Sequence, residues 1–240
     1  MEAPIQKLAI IAARSTIAGA LKKSLLNQGA QVALIALDQE GMDASGASHV
    51  VECGIHSFDA LHEALEDSAA QLGGLTGVVN CAGSMFLKPA HLTSQEAYAE
   101  AVEANLTTAF ATVRAAAKTM SANGGSVVLI SSCAAALGLP NHELIAAVKA
   151  GVEGLTRAAA ATYAPRGIRF NAVAPGLVES NLSKTLLATK GVRDASSAMH
   201  PLGRLGQPEE IAGAIQWLLD PAQSWITGQV IGIDGGLSRV

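Results

Sequence analysis

Short apolar runs alternate along this chain with longer stretches in which apolar residues return every three or four positions. The short runs predict strands at Leu8–Ala12, Val32–Leu37, Val50–Cys53, Val78–Asn80, Ser126–Ser131, Ile168–Val173 and Val230–Ile233. The helical period predicts helices near Ile17–Gln28, Phe58–Leu72, Ala97–Ala122, Glu143–Tyr163 and Glu209–Leu219. Continuous rather than alternating apolar strands are expected where both faces of a sheet are covered. The alternation therefore predicts an α/β fold, a Rossmann-type doubly wound parallel sheet of about seven strands with helices on both faces. Pro208 before Glu209 and Glu210 marks a helix start, because proline fits the first turn and acids favour its positive end. Leu177–Leu205 breaks the rhythm. A segment of that length in a compact domain is commonly a lid over a site; the other reading is a surface excursion carrying one amphipathic helix.

The totals narrow the class. A chain of 240 residues suits a single domain over 1–240, and no repeat or linker divides it. Half the residues are hydrophobic but only 3% aromatic, so the core is expected to be aliphatic. A net charge of −4 without a basic stripe argues against a nucleic-acid partner. Cys53, Cys81 and Cys133 lack metal-ligand spacing and read as buried thiols in a reducing compartment. The run Leu8–Ala13 is too short to span a bilayer, and no leader pattern precedes it. The expectation is a cytoplasmic protein with a small-molecule ligand, no metal and no membrane contact.

Candidate chemistry clusters where strands are expected to end. Asn80-Cys81-Ala82-Gly83 and Ser131-Ser132 each close an apolar run. Lys149-Ala150-Gly151-Val152-Glu153-Gly154 lies in a helical stretch, and Ile168–Gly176 and Ile233-Asp234-Gly235-Gly236 follow. In this order and spacing the chain resembles the short-chain dehydrogenase/reductase family from Lys7 to Gly236. The resemblance implies a nicotinamide dinucleotide, NAD or NADP, lying across the strand ends, and a homodimer or homotetramer. General rules for open α/β sheets place a ligand at the same ends, where strand order reverses.

Against the family pattern, two regions stand out. The resemblance puts its three phosphate-loop glycines at Ala12, Thr16 and Ala18, all of which carry side chains here. Arg14, Ser15, Thr16, Ile17 and the helix start remain able to hold a pyrophosphate. Gly54 stands where the family has an adenine-reading acid. Asp38 is placed to meet a ribose diol or to be a solvated turn residue, while Arg14 could meet a 2′-phosphate. Asn80, Ala82, Gly83, Lys149, Pro175, Gly176 and Val178 complete the implied coenzyme contacts.

The second region is catalytic. The family pairs tyrosine and lysine four residues apart on one helix, a spacing that puts both on one face. Here Ile145 precedes Lys149, and isoleucine transfers no proton. The resemblance keeps Ser132 as the group that polarises substrate oxygen, Asn105 as a water anchor and Lys149 as a ribose ligand. His142, seven residues before Lys149, stands where enoyl-reductase members carry tyrosine. An imidazole there could exchange a proton at neutral pH; its plainer reading is a solvated or capping residue. Gly151 and Gly154 each cost about 1 kcal/mol against alanine inside a helix, which suggests close packing on the sheet or on a second copy. Two functions follow from the same residues. One is an NAD(P)-dependent oxidoreductase of carbonyl or enone compounds; the other is an inactive relative serving as a cofactor-sensing or structural subunit.

Overall fold

The computed structural model describes residues 5–240. Seven strands form one parallel sheet: β1 (Lys7–Ile11), β2 (Gln31–Ala36), β3 (His49–Glu52), β4 (Gly77–Asn80), β5 (Gly125–Ile130), β6 (Ile168–Pro175) and β7 (Val230–Ile233). Their order is β3-β2-β1-β4-β5-β6-β7, so the direction of winding reverses between β1 and β4. Helices α2 (Phe58–Leu72), α4 (Thr108–Thr119) and α5 (Glu143–Tyr163) bury their apolar stripes on one face, around Leu61, Leu65, Ala115, Val152 and Phe170. On the other face α1 (Thr16–Asn27) and α7 (Pro208–Leu219) bury Leu21, Leu25, Ile211 and Ile215. Both layers are aliphatic, as the composition requires. The predicted start of α7 is borne out: Gln207 and Glu210 form a reciprocal capping box ahead of Pro208.

The expected helix over Ala97–Ala122 is broken. It begins as α3 (Gln95–Val102), widens into a π-helical turn over Glu103–Thr107, and continues as α4. Side chains cause the break to be tolerated. Asn105 Nδ2 donates to the Ala101 carbonyl and Thr108 Oγ1 to that of Ala104, replacing backbone donors in the widened turn. Of the two helical glycines, Gly151 does meet a neighbour, since a methyl there would lie 3.2 Å from Leu106. Gly154 faces open space instead.

Ala12 is not part of β1. It takes φ +59°, in the left-handed region, and turns the chain into α1. A β-carbon is disfavoured in that region by about 1–2 kcal/mol. Ala12→Gly relieves this strain and loosens the unfolded chain, so the net expectation is a gain of about 1 kcal/mol and a rise of roughly 2–4 °C in the unfolding midpoint. Calorimetry of the two proteins checks it.

Residues 177–205 are more ordered than a loop. They hold a short 3-10 turn (Leu186–Ala188) and α6 (Lys190–Met199), and they roof the carboxyl ends of the strands. Of the cysteines, Cys81 and Cys133 are buried and Cys53 is half-buried.

Candidate active site

A cavity of about 910 Å³ opens along the carboxyl ends of β1, β2, β4, β5 and β6, at the reversal of strand order. That volume lies at the upper end of the range for small-molecule sites. From the predicted set, Ala12, Arg14, Ser15, Thr16, Ile17, Ala82, Gly83, Ser132, His142, Lys149, Pro175, Gly176 and Val178 all line it.

On its β1 side the cavity meets the start of α1. Ser15 caps that helix, its Oγ accepting from Ala18 N at 3.4 Å. The free amides of a helix start, with the positive end of its dipole, suit a phosphate. Arg14 Nη1 donates to both carboxylate oxygens of Asp38 at 2.6 Å. Asp38 is thus engaged with Arg14 and does not line the cavity, against the expectation of a direct ligand contact. The exposed pair ties the turn after β1 to the turn after β2.

Two other expected ligand contacts are corrected. Asn80 is buried; its Oδ1 accepts from Ala82 N at 2.7 Å and its Nδ2 donates to Thr112 Oγ1 at 2.9 Å. It braces the turn that presents Ala82 and Gly83. Asn105 is also buried off the cavity. Its Oδ1 accepts from Ser84 N at 3.2 Å and its Nδ2 donates to Ser84 Oγ at 3.0 Å. Both amides help to hold the segment after β4.

At the β5 side three polar groups converge. Ser132 Oγ accepts from Ala134 N at 3.2 Å; its hydroxyl lies within reach of the Cys133 sulfur, and among the described residues no oxygen or nitrogen takes its proton. Lys149 is 5% exposed, and its Nζ donates to the Ile130 carbonyl at 2.8 Å. Burial pushes its pKa down to about 8. His142 is not on a helical stripe with Lys149. It occupies the N-cap position of α5, after Asn141 in a left-handed conformation, with Nδ1 2.7 Å from the Pro140 carbonyl. Ile145 is buried with Leu144 and Val148 and adds an apolar wall. Among the described residues no tyrosine lines the cavity: Tyr98 is exposed, and Tyr163 packs on Phe170.

The roof supplies what sequence reading missed. Leu182, Leu186 and Met199 hang over the cavity, and Asn181 N donates to Thr16 Oγ1 at 3.1 Å, joining roof to helix start. His200 is buried at the end of α6. Its Nδ1 lies 2.8 Å from the Ser196 carbonyl, and its Nε2 accepts from Leu177 N at 3.2 Å. It pins α6 to the chain leaving β6. Gly176 is needed beside it, because a β-carbon there would come within 2.7 Å of His200 Nε2. The only sequence signal was the Gly176 position itself.

The cavity thiols are not nucleophiles. Burial raises Cys81 to about 12 and, with help from the Asp234 charge, Cys133 to about 11. Among the described residues no cluster of three or more His, Cys, Asp or Glu could hold a metal, and no helix is long and apolar enough to cross a membrane.

A family model described as "Enoyl-(Acyl carrier protein) reductase" matches residues 11–238. The chain belongs to the short-chain dehydrogenase/reductase family. It is 34% identical over 249 residues to cis-4-hydroxycyclohexanecarboxylate dehydrogenase of Sinomonas cyclohexanicum, covering 100% of this chain and 99% of that protein. An inactive 2-(S)-hydroxypropyl-CoM dehydrogenase 2 of Xanthobacter autotrophicus is 32% identical, over 92% of this chain and 100% of its own length. Among solved structures, that of ElxO with NADP bound superposes with a TM-score of 0.90 at 25% identity, covering 98% of this chain and 99% of that one.

Proposed function

We propose that this member of the family is an NAD(P)-dependent oxidoreductase of small, apolar carbonyl or enone compounds. The observation that carries the reading is the one continuous cavity that joins a helix start suited to phosphate with Ser132 and Lys149. The residues fit a dinucleotide. The left-handed turn at Ala12 keeps the helix start open, and Gly83 leaves its side of the cavity free of any side chain. Ser15, Thr16 and the first amides of α1 would hold the pyrophosphate, with Arg14 nearby. Ala82, Gly83 and Pro175–Val178 would flank the nicotinamide, and Lys149 its ribose. When bound, the reduced or oxidised nicotinamide donates or accepts a hydride.

The chain's own part is to orient and to protonate. Ser132 directs its free hydroxyl at the substrate oxygen. Ile145, Leu186 and Met199 exclude water from the reacting carbon. His142, which lines the cavity, or a water is the source of the proton in this reading. A second copy packing on α4 and α5 belongs to the same reading, since Phe110, Ala147 and Ala150 lie exposed there. A cytoplasmic setting does too.

The inactive reading is favoured by Ile145 in the tyrosine position and is separated by experiment. Thermal denaturation is measured with NAD, NADH, NADP and NADPH in turn. A ligand at a hundred times its Kd adds about 2.7 kcal/mol, so a rise of roughly 5–10 °C is expected with at least one of them. No rise with any of the four removes the oxidoreductase reading. A rise without turnover on a ketone and enone panel leaves the cofactor-sensing subunit.

A further inference from the structure

Resting on the oxidoreductase reading, the geometry assigns a further role to Lys149. We propose that the Lys149 ammonium is itself the acid that protonates the substrate oxygen, with no intervening side chain.

Three observations carry this. First, Lys149 is buried and lines the cavity, yet among the described residues its Nζ has one acceptor, the Ile130 carbonyl at 2.8 Å. An ammonium carries three donors, so two remain, one for the coenzyme ribose and one for the substrate oxygen. Among the described residues no aspartate or glutamate lines the cavity to neutralise it, and Glu153, one turn later on α5, is held by Ser131 Oγ and Arg157. An unpaired buried cation is costly and is relieved by an oxygen that gains negative charge.

Second, the path to Nζ is clear. Ile145, one turn earlier on α5, has no polar atom to intercept the substrate oxygen. Gly83 packs close to Nζ without a side chain to cover it, since a β-carbon there would lie 3.3 Å from Nζ and 3.2 Å from Asn105 Oδ1. Third, the other titratable groups of the cavity are committed or displaced. Arg14 follows β1 and is paired with Asp38, and His56 follows β3. Cys81 and Cys133, after β4 and β5, are held protonated by burial. His200 has both ring nitrogens on the backbone of the roof. His142 sits ahead of α5 with Nδ1 at the Pro140 carbonyl. Burial also brings Lys149 to about 8, where it both gives and regains a proton near neutrality.

The balance is simple. With a reduced nicotinamide bound, the carbonyl carbon would receive a hydride with its electron pair, and the C=O π pair would move to oxygen. One N–H bond of the Lys149 ammonium breaks, its proton forms the new O–H bond, and the pair stays on Nζ. Alcohol and neutral amine result, and the amine takes a proton back from water.

The test uses the full chain saturated with whichever reduced coenzyme binds. Cyclohexanecarboxylate serves as a non-reacting probe whose oxygen stands for the developing alkoxide. Its equilibrium affinity is expected to fall about tenfold per pH unit above pH 8 in the wild type. In Lys149→Met the affinity is expected to drop at least tenfold at pH 7, and the pH dependence to vanish. Lys149→Arg keeps a cation that cannot give up its proton. It is expected to hold the coenzyme and the probe within threefold while reducing cyclohexanone and related ketones at least a hundredfold more slowly.

Probe binding that is unchanged in Lys149→Met, or reduction that persists in Lys149→Arg, overturns the proposal. So does loss of reduction in His142→Gln combined with its survival in Lys149→Arg. Absence of coenzyme binding, or of any ketone reduction by the wild type with coenzyme bound, overturns the oxidoreductase reading as well.

Discussion

Ser132→Ala is expected to slow turnover by two to three orders of magnitude while coenzyme affinity stays within about twofold. Among the described residues Ser132 is the one hydroxyl at the β5 end of the cavity whose proton no oxygen or nitrogen takes, its neighbour being the weakly accepting sulfur of Cys133. Its neighbour Ser131 is buried and donates to Glu153 Oε1 at 2.9 Å, so it cannot take over. Donors aimed at an oxygen that gains charge are worth about 10²–10³ in rate when removed singly. The structural cost of the change is small. Ser132 caps only a three-residue turn, and loss of such a cap costs about 1 kcal/mol. Single-turnover rates and coenzyme titration on the same protein separate the two effects. Equal rates for wild type and variant would place the substrate oxygen elsewhere in the cavity.

Lys149→Met is expected to make the folded chain more stable at pH 7, by about 2 kcal/mol, although it harms the site. The folded pKa of about 8 lies below the ordinary 10.5. Below pH 8 folded and unfolded chains both carry the proton, so the folded state bears the whole cost of a buried ammonium. Between about 8 and 10.5 the folded chain sheds the proton first. The unfolded chain then binds more protons, and wild-type stability rises with pH. A shift of this size corresponds to roughly 3 kcal/mol, less about 1 kcal/mol for the hydrogen bond to Ile130 that methionine forgoes. The gap between variant and wild type is therefore expected to close as pH climbs through that window. Urea unfolding at pH 7, 9 and 10.5 measures it. A gap that does not depend on pH would mean that the ammonium is better solvated than its burial implies.

The sheet was legible because strands covered on both faces read as unbroken apolar runs. Turns at their ends could be located for the same reason. What could not be read was which way a polar residue at such a turn faces. Asn80, Asn105 and Ser132 look alike in sequence, yet two spend their hydrogen bonds bracing the turn after β4 and one keeps a proton for the cavity. Asp38 was legible as an acid near the right strand, but its engagement by Arg14 depends on how two turns approach. The π-helical turn escaped because apolar periodicity barely registers one extra residue. His200 escaped because its partners, Ser196 and Leu177, meet it only once the roof has folded. The left-handed turn at Ala12 was marked by the resemblance, which puts a glycine there, and by nothing in the alanine itself, since alanine at φ > 0 is rare.

Thr16 has a consequence for how long a coenzyme would stay. Its oxygen already accepts the amide of Asn181, and a hydroxyl that accepts becomes a stronger donor through the same atom. Its own proton would then be available to an anion resting on the start of α1. Occupancy and roof closure then reinforce each other, and by linkage each delays the departure of the other. A glycine at this place would let the chain come nearer to the phosphates but could not make that connection. The expected signature is slow exchange of the dinucleotide, with several substrate molecules turned over at the pace of its release.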